Sequence, residues 1–235
     1  MALIHRAQLQ PSKLELIEPW LRARVWFVGD FSAALTSVAA YRFDDPEGEV
    51  GIETLLLRSG DGPVLQVPLT YRGAPLDGDD DRLIGTMQHS VLGRRWVYDA
   101  TGDPAYIAAL ATAAFRGGVQ ADEYVDVDGE SVFRESTARV YGSGAAVGTV
   151  AVPPSPADVS TTEEPGATLV EAVVGGLGRS GRVRLLVVRA PDTSEARAIV
   201  STAVSTAPDD SVTERLSGIW AGQPEPRVLA LAFGL

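Results

Sequence analysis

Gly48–Arg72, GEVGIETLLLRSGDGPVLQVPLTYR, is the stretch whose reading decides the fold. Two apolar runs, Val50–Leu57 and Val64–Tyr71, flank Ser59-Gly60-Asp61-Gly62. A short Gly/Asp connection between two β-rich runs is the strongest local signal for a hairpin. On the second run Leu65, Val67, Leu69 and Tyr71 share one parity. Strand side chains alternate between faces, so these four should enter one core. Pro68 has the other parity and no N–H to give a ladder, which puts this strand at a sheet edge or a bulge.

Toward the N-terminus, Ser12-Lys13-Leu14-Glu15 reads as a capping box, with the serine accepting from the first turn and the glutamate reaching back. Leu14, Leu16 or Ile17, and Leu21 then form an apolar helical stripe that Pro19 should interrupt. Leu3, Ile4 and Leu9 suit a short edge strand within residues 1–10. Ser37–Phe43 reads as a strand ended by the turn cluster Asp44–Gly48. Toward the C-terminus, Gly73–Asp81 is a loop by composition, and Arg82–Met87 and Val91–Tyr98 are strands. Asp103 suits a helix N-cap and Pro104 the first helical position. The alanine-rich run Ala105–Phe115 follows, closed by Gly117-Gly118.

Past Gly118 the texture is hairpins. Glu123–Val127 and Ser131–Tyr141 flank Asp128-Gly129. Gly142–Pro165 reads as a linker or long loop. Leu169–Val174 and Val183–Val188 flank a glycine-rich loop. Ala196–Ala203 fits either a strand or a short helix. Leu216–Trp220 and Val228–Phe233 surround Gly222–Pro226. Antiparallel hairpins with two helices make an α+β fold rich in antiparallel sheet. The change of texture divides the chain into an α+β part, residues 1–118, and a β-rich part, residues 119–235.

Composition narrows function by exclusion. The chain has 235 residues, 45% of them hydrophobic and 22% charged, as in ordinary globular domains. It has no cysteine, which excludes disulfides, thiol catalysis and thiolate metal sites. Its formal charge of −11 repels phosphate backbones and anionic lipid, so neither nucleic acid nor membrane is expected as a partner. There is no apolar run long enough to span a bilayer and no h-region near the start, so a cytoplasmic location is expected. Lys13 is the sole lysine and no Walker-type glycine pattern surrounds it.

Each candidate motif has a plainer reading. Gly176–Gly181 matches G-x-G-x-x-G, but the residues after it, RVRLLVV, read as a strand where the dinucleotide motif needs a helix. Asp77, Asp79, Asp80 and Asp81 could offer oxygen ligands but lack calcium-loop spacing. His5 and His89 are too few for a zinc site of histidines, and Ser90 beside His89 would point to the opposite face. Gly93–Asp99 concentrates guanidinium and aromatic groups, a composition suited to stacking on a ligand or partner.

Trp20-Leu21 with Arg24, Trp26, Phe27 and Gly29, then Gln66-Val67-Pro68-Leu69, then Trp96-Val97-Tyr98-Asp99-Ala100 with Asp103-Pro104, together resemble the N-terminal cap of bacterial maltokinases and stand-alone proteins that share it. The resemblance spans residues 1–117. It implies a cystatin-like arrangement for the N-terminal half, a curved antiparallel sheet packed on a helix. In the full-length kinases the cap precedes a body that phosphorylates maltose with ATP. After residue 118 this chain shows neither an H-x-D…N pattern nor a D-F-G-like triplet. The resemblance therefore implies a cap without its enzyme: a non-catalytic, cofactor-free accessory that binds an enzyme of α-glucan, maltose or trehalose metabolism. A curved sheet that holds a sugar or sugar phosphate is the alternative, and a carboxylate-dependent enzyme a further one. Arg24, Trp26, Arg94, Arg95 and Trp96 are the candidate ligand- or partner-binding residues, no metal site is expected, and a homo-oligomer is compatible with the sequence.

Overall fold

The computed structural model describes residues 2–4, 7–45, 47–127, 130–145, 156–176, 179–208 and 211–234. His5, the turn Asp128-Gly129 and the loop residues Leu177 and Gly178 lie outside the described residues. The first sheet holds six antiparallel strands in the order β2-β6-β7-β5-β4-β3. In chain order these are β2 (Leu9–Gln10), β3 (Leu35–Phe43), β4 (Gly51–Ser59), β5 (Leu65–Arg72), β6 (Leu83–His89) and β7 (Gly93–Asp99). The second, also six-stranded and antiparallel, runs β10-β14-β15-β13-β12-β11. Its strands are β10 (Ala138–Gly142), β11 (Ala157–Glu164), β12 (Ala167–Gly176), β13 (Arg179–Val188), β14 (Val212–Trp220) and β15 (Gln223–Gly234). A small third sheet joins β1 (Ala2–Ile4), β8 (Glu123–Val127) and β9 (Glu130–Arg134), with β1 and β8 parallel. The helices are α1 (Lys13–Arg22), α2 (Pro104–Arg116) and α3 (Ser194–Ser205). The α+β, antiparallel expectation holds, with β1–β8 as the parallel exception.

The hairpin forms as its residues dictate. β4 and β5 pair from Gly51↔Tyr71 to Leu57↔Leu65. Leu55, Leu57, Leu65, Val67 and Leu69 enter one core with Ile17 and Leu21 of α1. Ile52, Leu56 and Val64 turn the other way into a second core, against α2 and strands of the second sheet. The hairpin is thus buried on both faces, where alternation alone indicated one. β5 is interior rather than an edge. Pro68 is tolerated because the β7 ladder begins only at Leu69, so the proline interrupts β5 where no partner strand needs its N–H.

α1 carries the expected capping box: Ser12 Oγ accepts from Glu15 N at 3.4 Å and Glu15 Oε2 accepts from Ser12 N at 2.8 Å. It continues through Pro19 instead of stopping there. The proline costs about 3 kcal/mol, and burying Ile17 and Leu21 returns about 2–3 kcal/mol each, so packing wins. α2 starts at the Asp103 cap and ends at Gly117, which adopts a left-handed φ of 63°. Ten of its side chains are buried, far more than one stripe, because it is wedged between the two large sheets. Its small alanines are what let both sheets approach.

The C-terminal part departs from expectation in two places, and in a third it decides between two readings. The run Ser131–Tyr141 is two strands in different sheets, β9 and β10. The stretch read as a linker contains β11, which pairs with β12. Residues 196–203 are helical, within α3, which covers the outer face of the second sheet. The G-x-G-x-x-G stretch runs from the last residue of β12 into β13, two paired strands.

Candidate functional site

The open end of the first sheet forms a cleft of about 470 Å³, within the usual range for small-molecule sites. Four elements meet there. Arg42 on β3 lies opposite Glu53 on β4, and Tyr71 on β5 lies opposite Gly51, so the three side chains share a face. Lys13 arrives from the first turn of α1, where the capping box fixes its position. Arg95 of β7, His89 at the end of β6 and Leu92 in the turn between them complete the wall.

Glu53 is the hub. Its carboxylate accepts from Lys13 Nζ at 2.5 Å, Arg42 Nη2 at 2.6 Å and the Tyr71 hydroxyl at 2.8 Å. The Glu53 side chain is only 6% exposed, against 28% for Lys13 and 18% for Arg42. The two cations therefore front the cleft and the carboxylate lies behind them. Burial works to raise the Glu53 carboxyl, but the Arg42 and Lys13 charges and the bonds from Lys13 and Tyr71 outweigh it and bring it down to about 2. The Tyr71 phenol is raised well above its usual range, by burial first and by the Glu53 charge next. Near neutral pH Glu53 stays ionised and Tyr71 stays protonated, so the cluster is suited to fixed recognition rather than proton transfer.

This lowering is a stability statement with a defined sign. The stabilisation is fully present above the ordinary value of 4.5 and is lost as pH falls toward about 2. It amounts to about 3 kcal/mol. Acid unfolding followed by circular dichroism should show this added slope in the native chain, and Glu53→Gln should flatten it.

Of the five candidate ligand- or partner-binding residues, only Arg95 lines the cleft. It donates to the Leu92 carbonyl at 2.6 Å, and its Nε has no hydrogen-bond partner. Arg94 and Trp96 fall on the opposite face of β7, where the Arg94 guanidinium stacks on Trp96 at 5.9 Å. Arg24 stacks on Trp20 at 5.3 Å and lies 3.7 Å from Glu163 of β11. Trp26 is fully buried and offers no surface. Its indole N–H donates to Glu163 at 3.2 Å and its ring lies 4.2 Å from the Arg189 guanidinium. The five residues do not converge on one site. Asp79 pairs with Arg82, and no three His, Asp or Glu side chains among the described residues gather as a metal site.

The aspartates of the Tyr98-Asp99-Ala100…Asp103-Pro104 stretch are internal. Asp103 caps α2 and accepts two bonds from Arg72, at 2.7 and 2.6 Å, and one from Thr70 at 2.7 Å. Asp99 accepts from Thr101 and pairs with Arg189 at 2.9 Å. Arg189 is fully buried and also donates to Thr168 at 2.8 Å. One of its nitrogens, Nη1, finds no hydrogen-bond partner, and the Trp26 face is what compensates it. Gln66 ties the sheets together: its amide donates to the Val188 and Leu229 carbonyls at 2.8 and 2.9 Å and accepts from Tyr41 at 3.1 Å. Sequence reading missed Glu53, Tyr71, Arg42, Gln66 and Arg189. The one signal available was Lys13, the sole lysine, placed by a recognisable cap.

Among the described residues no helix is long and apolar enough to cross a membrane. Compared with curated proteins, the chain finds no match. Residues 20–103 match the family model of the maltokinase N-terminal cap domain, from Trp20 at the end of α1 to the Asp103 cap of α2. Strands β3 to β7 of the first sheet fall within that match, and β2 lies before it. Over this segment the chain is similar to the maltokinase N-terminal cap domain.

Proposed function

We propose that the chain is a non-catalytic accessory of α-glucan, maltose or trehalose metabolism that acts by binding an enzyme of that chemistry. The observation that carries the reading is how the buried carboxylates are used. Glu53, Asp99 and Asp103 are each held by arginine or lysine. Asp45 at the cleft rim accepts from the backbone N–H groups of Glu47, Glu49 and Val50. Acids engaged in this way hold structure in place and are poorly disposed to transfer protons. The carbohydrate setting comes from the likeness of residues 20–103 to the maltokinase cap. Two measurements test the reading. The purified chain with ATP and maltose should release no ADP, and affinity capture from the native cell should recover an enzyme of glucan metabolism. ADP release, or repeated capture without such an enzyme, overturns it.

The Glu53 cleft favours a second reading, the binding of a small polar ligand such as a sugar or sugar phosphate. Lys13, Arg42 and Arg95 front an opening whose other walls include Phe43, Ile52 and Met87. Calorimetry against maltose, trehalose and their phosphates should give saturable heat that Arg95→Ala weakens about tenfold, the loss of one charge-assisted contact. Absence of heat at millimolar ligand removes this reading and leaves the first standing.

A further inference from the structure

The four edge strands of the two large sheets are protected: β3 and β10 by covering, β11 by a bulge and charge, and β2 by being only two residues long. β3 is covered by residues 120–121 and 136–137: Ala121 N donates to the Arg42 carbonyl at 2.8 Å, and Ala40 N to Thr137 Oγ1 at 2.7 Å. β10 is covered by Gly118–Gln120, with Val140 N donating to Gln120 at 2.8 Å and Gly142 N to Gly118 at 2.8 Å. β11 has a register shift between Ala157 and Ser160 and ends in Glu163-Glu164. Covering, bulges and charge are the usual ways of stopping a free edge from pairing.

Among the described residues nothing covers β9, its ladder to β8 has no register shift, and its two charges are of opposite sign, so that a second copy could pair them. It is the terminal strand of the small sheet, paired with β8 on one side only. All five of its residues are exposed, with Val132 at 46% and Phe133 at 56%. Its apolar residues lie at the middle of the strand and its charges at the two ends, in the order Glu130-Ser131-Val132-Phe133-Arg134.

That order is self-complementary. An antiparallel copy placed about a two-fold axis through Val132 sets Val132 against Val132, Glu130 against Arg134 and Ser131 against Phe133. Alternate residues of β9 turn their N–H and C=O away from β8, and a two-fold partner presents the same groups in return. Arg134 already leans on Glu123, at 3.2 Å, yet is half exposed and can take a second carboxylate. Phe133, edge-to-face with Tyr124 at 5.8 Å, would gain a diagonal neighbour in the partner's copy. Centring the axis one residue either way sets a charged residue against Val132 and loses both ion pairs. We infer that β9 is the self-pairing edge of a two-fold homodimer, in which two three-stranded sheets join into one of six. This inference is independent of the binding partner proposed above.

Charge reversal tests it in the full chain, by sedimentation velocity. The native chain should sediment as a dimer. Glu130→Arg alone sets arginine against arginine, and Arg134→Glu alone sets glutamate against glutamate. Each should weaken association at least tenfold. Mixing the two single variants restores opposite charges at both positions, so the mixture should form a heterodimer, and the double variant should dimerise by itself. Circular dichroism on each variant shows whether the fold is kept. A native chain that is monomeric at about 100 μM, where complexes of micromolar Kd would still form, overturns the inference. So does a dimer that neither single reversal weakens, or a mixture that stays monomeric while both variants remain folded.

Discussion

Asp99→Asn should lower the unfolding free energy by about 3–5 kcal/mol, the loss typical when one member of a buried ion pair is removed. Asparagine keeps an acceptor for the Thr101 N–H and hydroxyl, so the local 3₁₀ turn survives. What disappears is the charge facing Arg189, a guanidinium with no exposure and one nitrogen already lacking a hydrogen-bond partner. Arg189→Met alone should cost a similar amount by stranding Asp99. Asp99→Asn with Arg189→Met should cost clearly less than the two single effects added, because neither residue is then left charged without its partner. Urea unfolding of the four proteins checks this. Strict additivity would mean that the pair is not coupled.

Trp26→Ala should cost about 3–5 kcal/mol from the cavity alone. It also removes the ring over Arg189 and the donor to Glu163. Against a total stability of about 5–15 kcal/mol for a typical domain, the variant should be partly unfolded at room temperature. Trp26→Phe keeps an aromatic face over Arg189 and should lose less. The urea midpoint, read at unchanged slope, is the measure. A Trp26→Ala protein with native stability would restore the view of this residue as a binding group.

What the sequence made legible was local. The capping box at Ser12, the Asp103-Pro104 start and Gly117 end of α2, and the Gly/Asp turn between β4 and β5 depend on neighbouring residues, and all are found in place. The burial of Trp26 is not legible in the sequence, because two of the groups around it, Glu163 and Arg189, are more than a hundred residues away. β11 escaped notice because Ala157–Glu164 is almost entirely polar and its burial stays shallow, so it leaves no alternating apolar signal. The cleft was hidden for a related reason. Lys13, Arg42, Glu53 and Tyr71 come from four elements, and no spacing along the chain connects them. Arg94 and Arg95 are adjacent in sequence and therefore point to opposite faces of β7.

The Gln66–Leu229 bond spans 163 residues. At a ribosome adding roughly 5–20 residues per second, about 10–30 seconds pass between the appearance of the first partner and the second. Through that interval Ile52, Leu56 and Val64 have been made while much of the wall that covers them has not. Pairings this distant in the chain also slow folding after release. Nascent chains of this protein should therefore rely on a chaperone to keep that unfinished face from aggregating until β15 emerges.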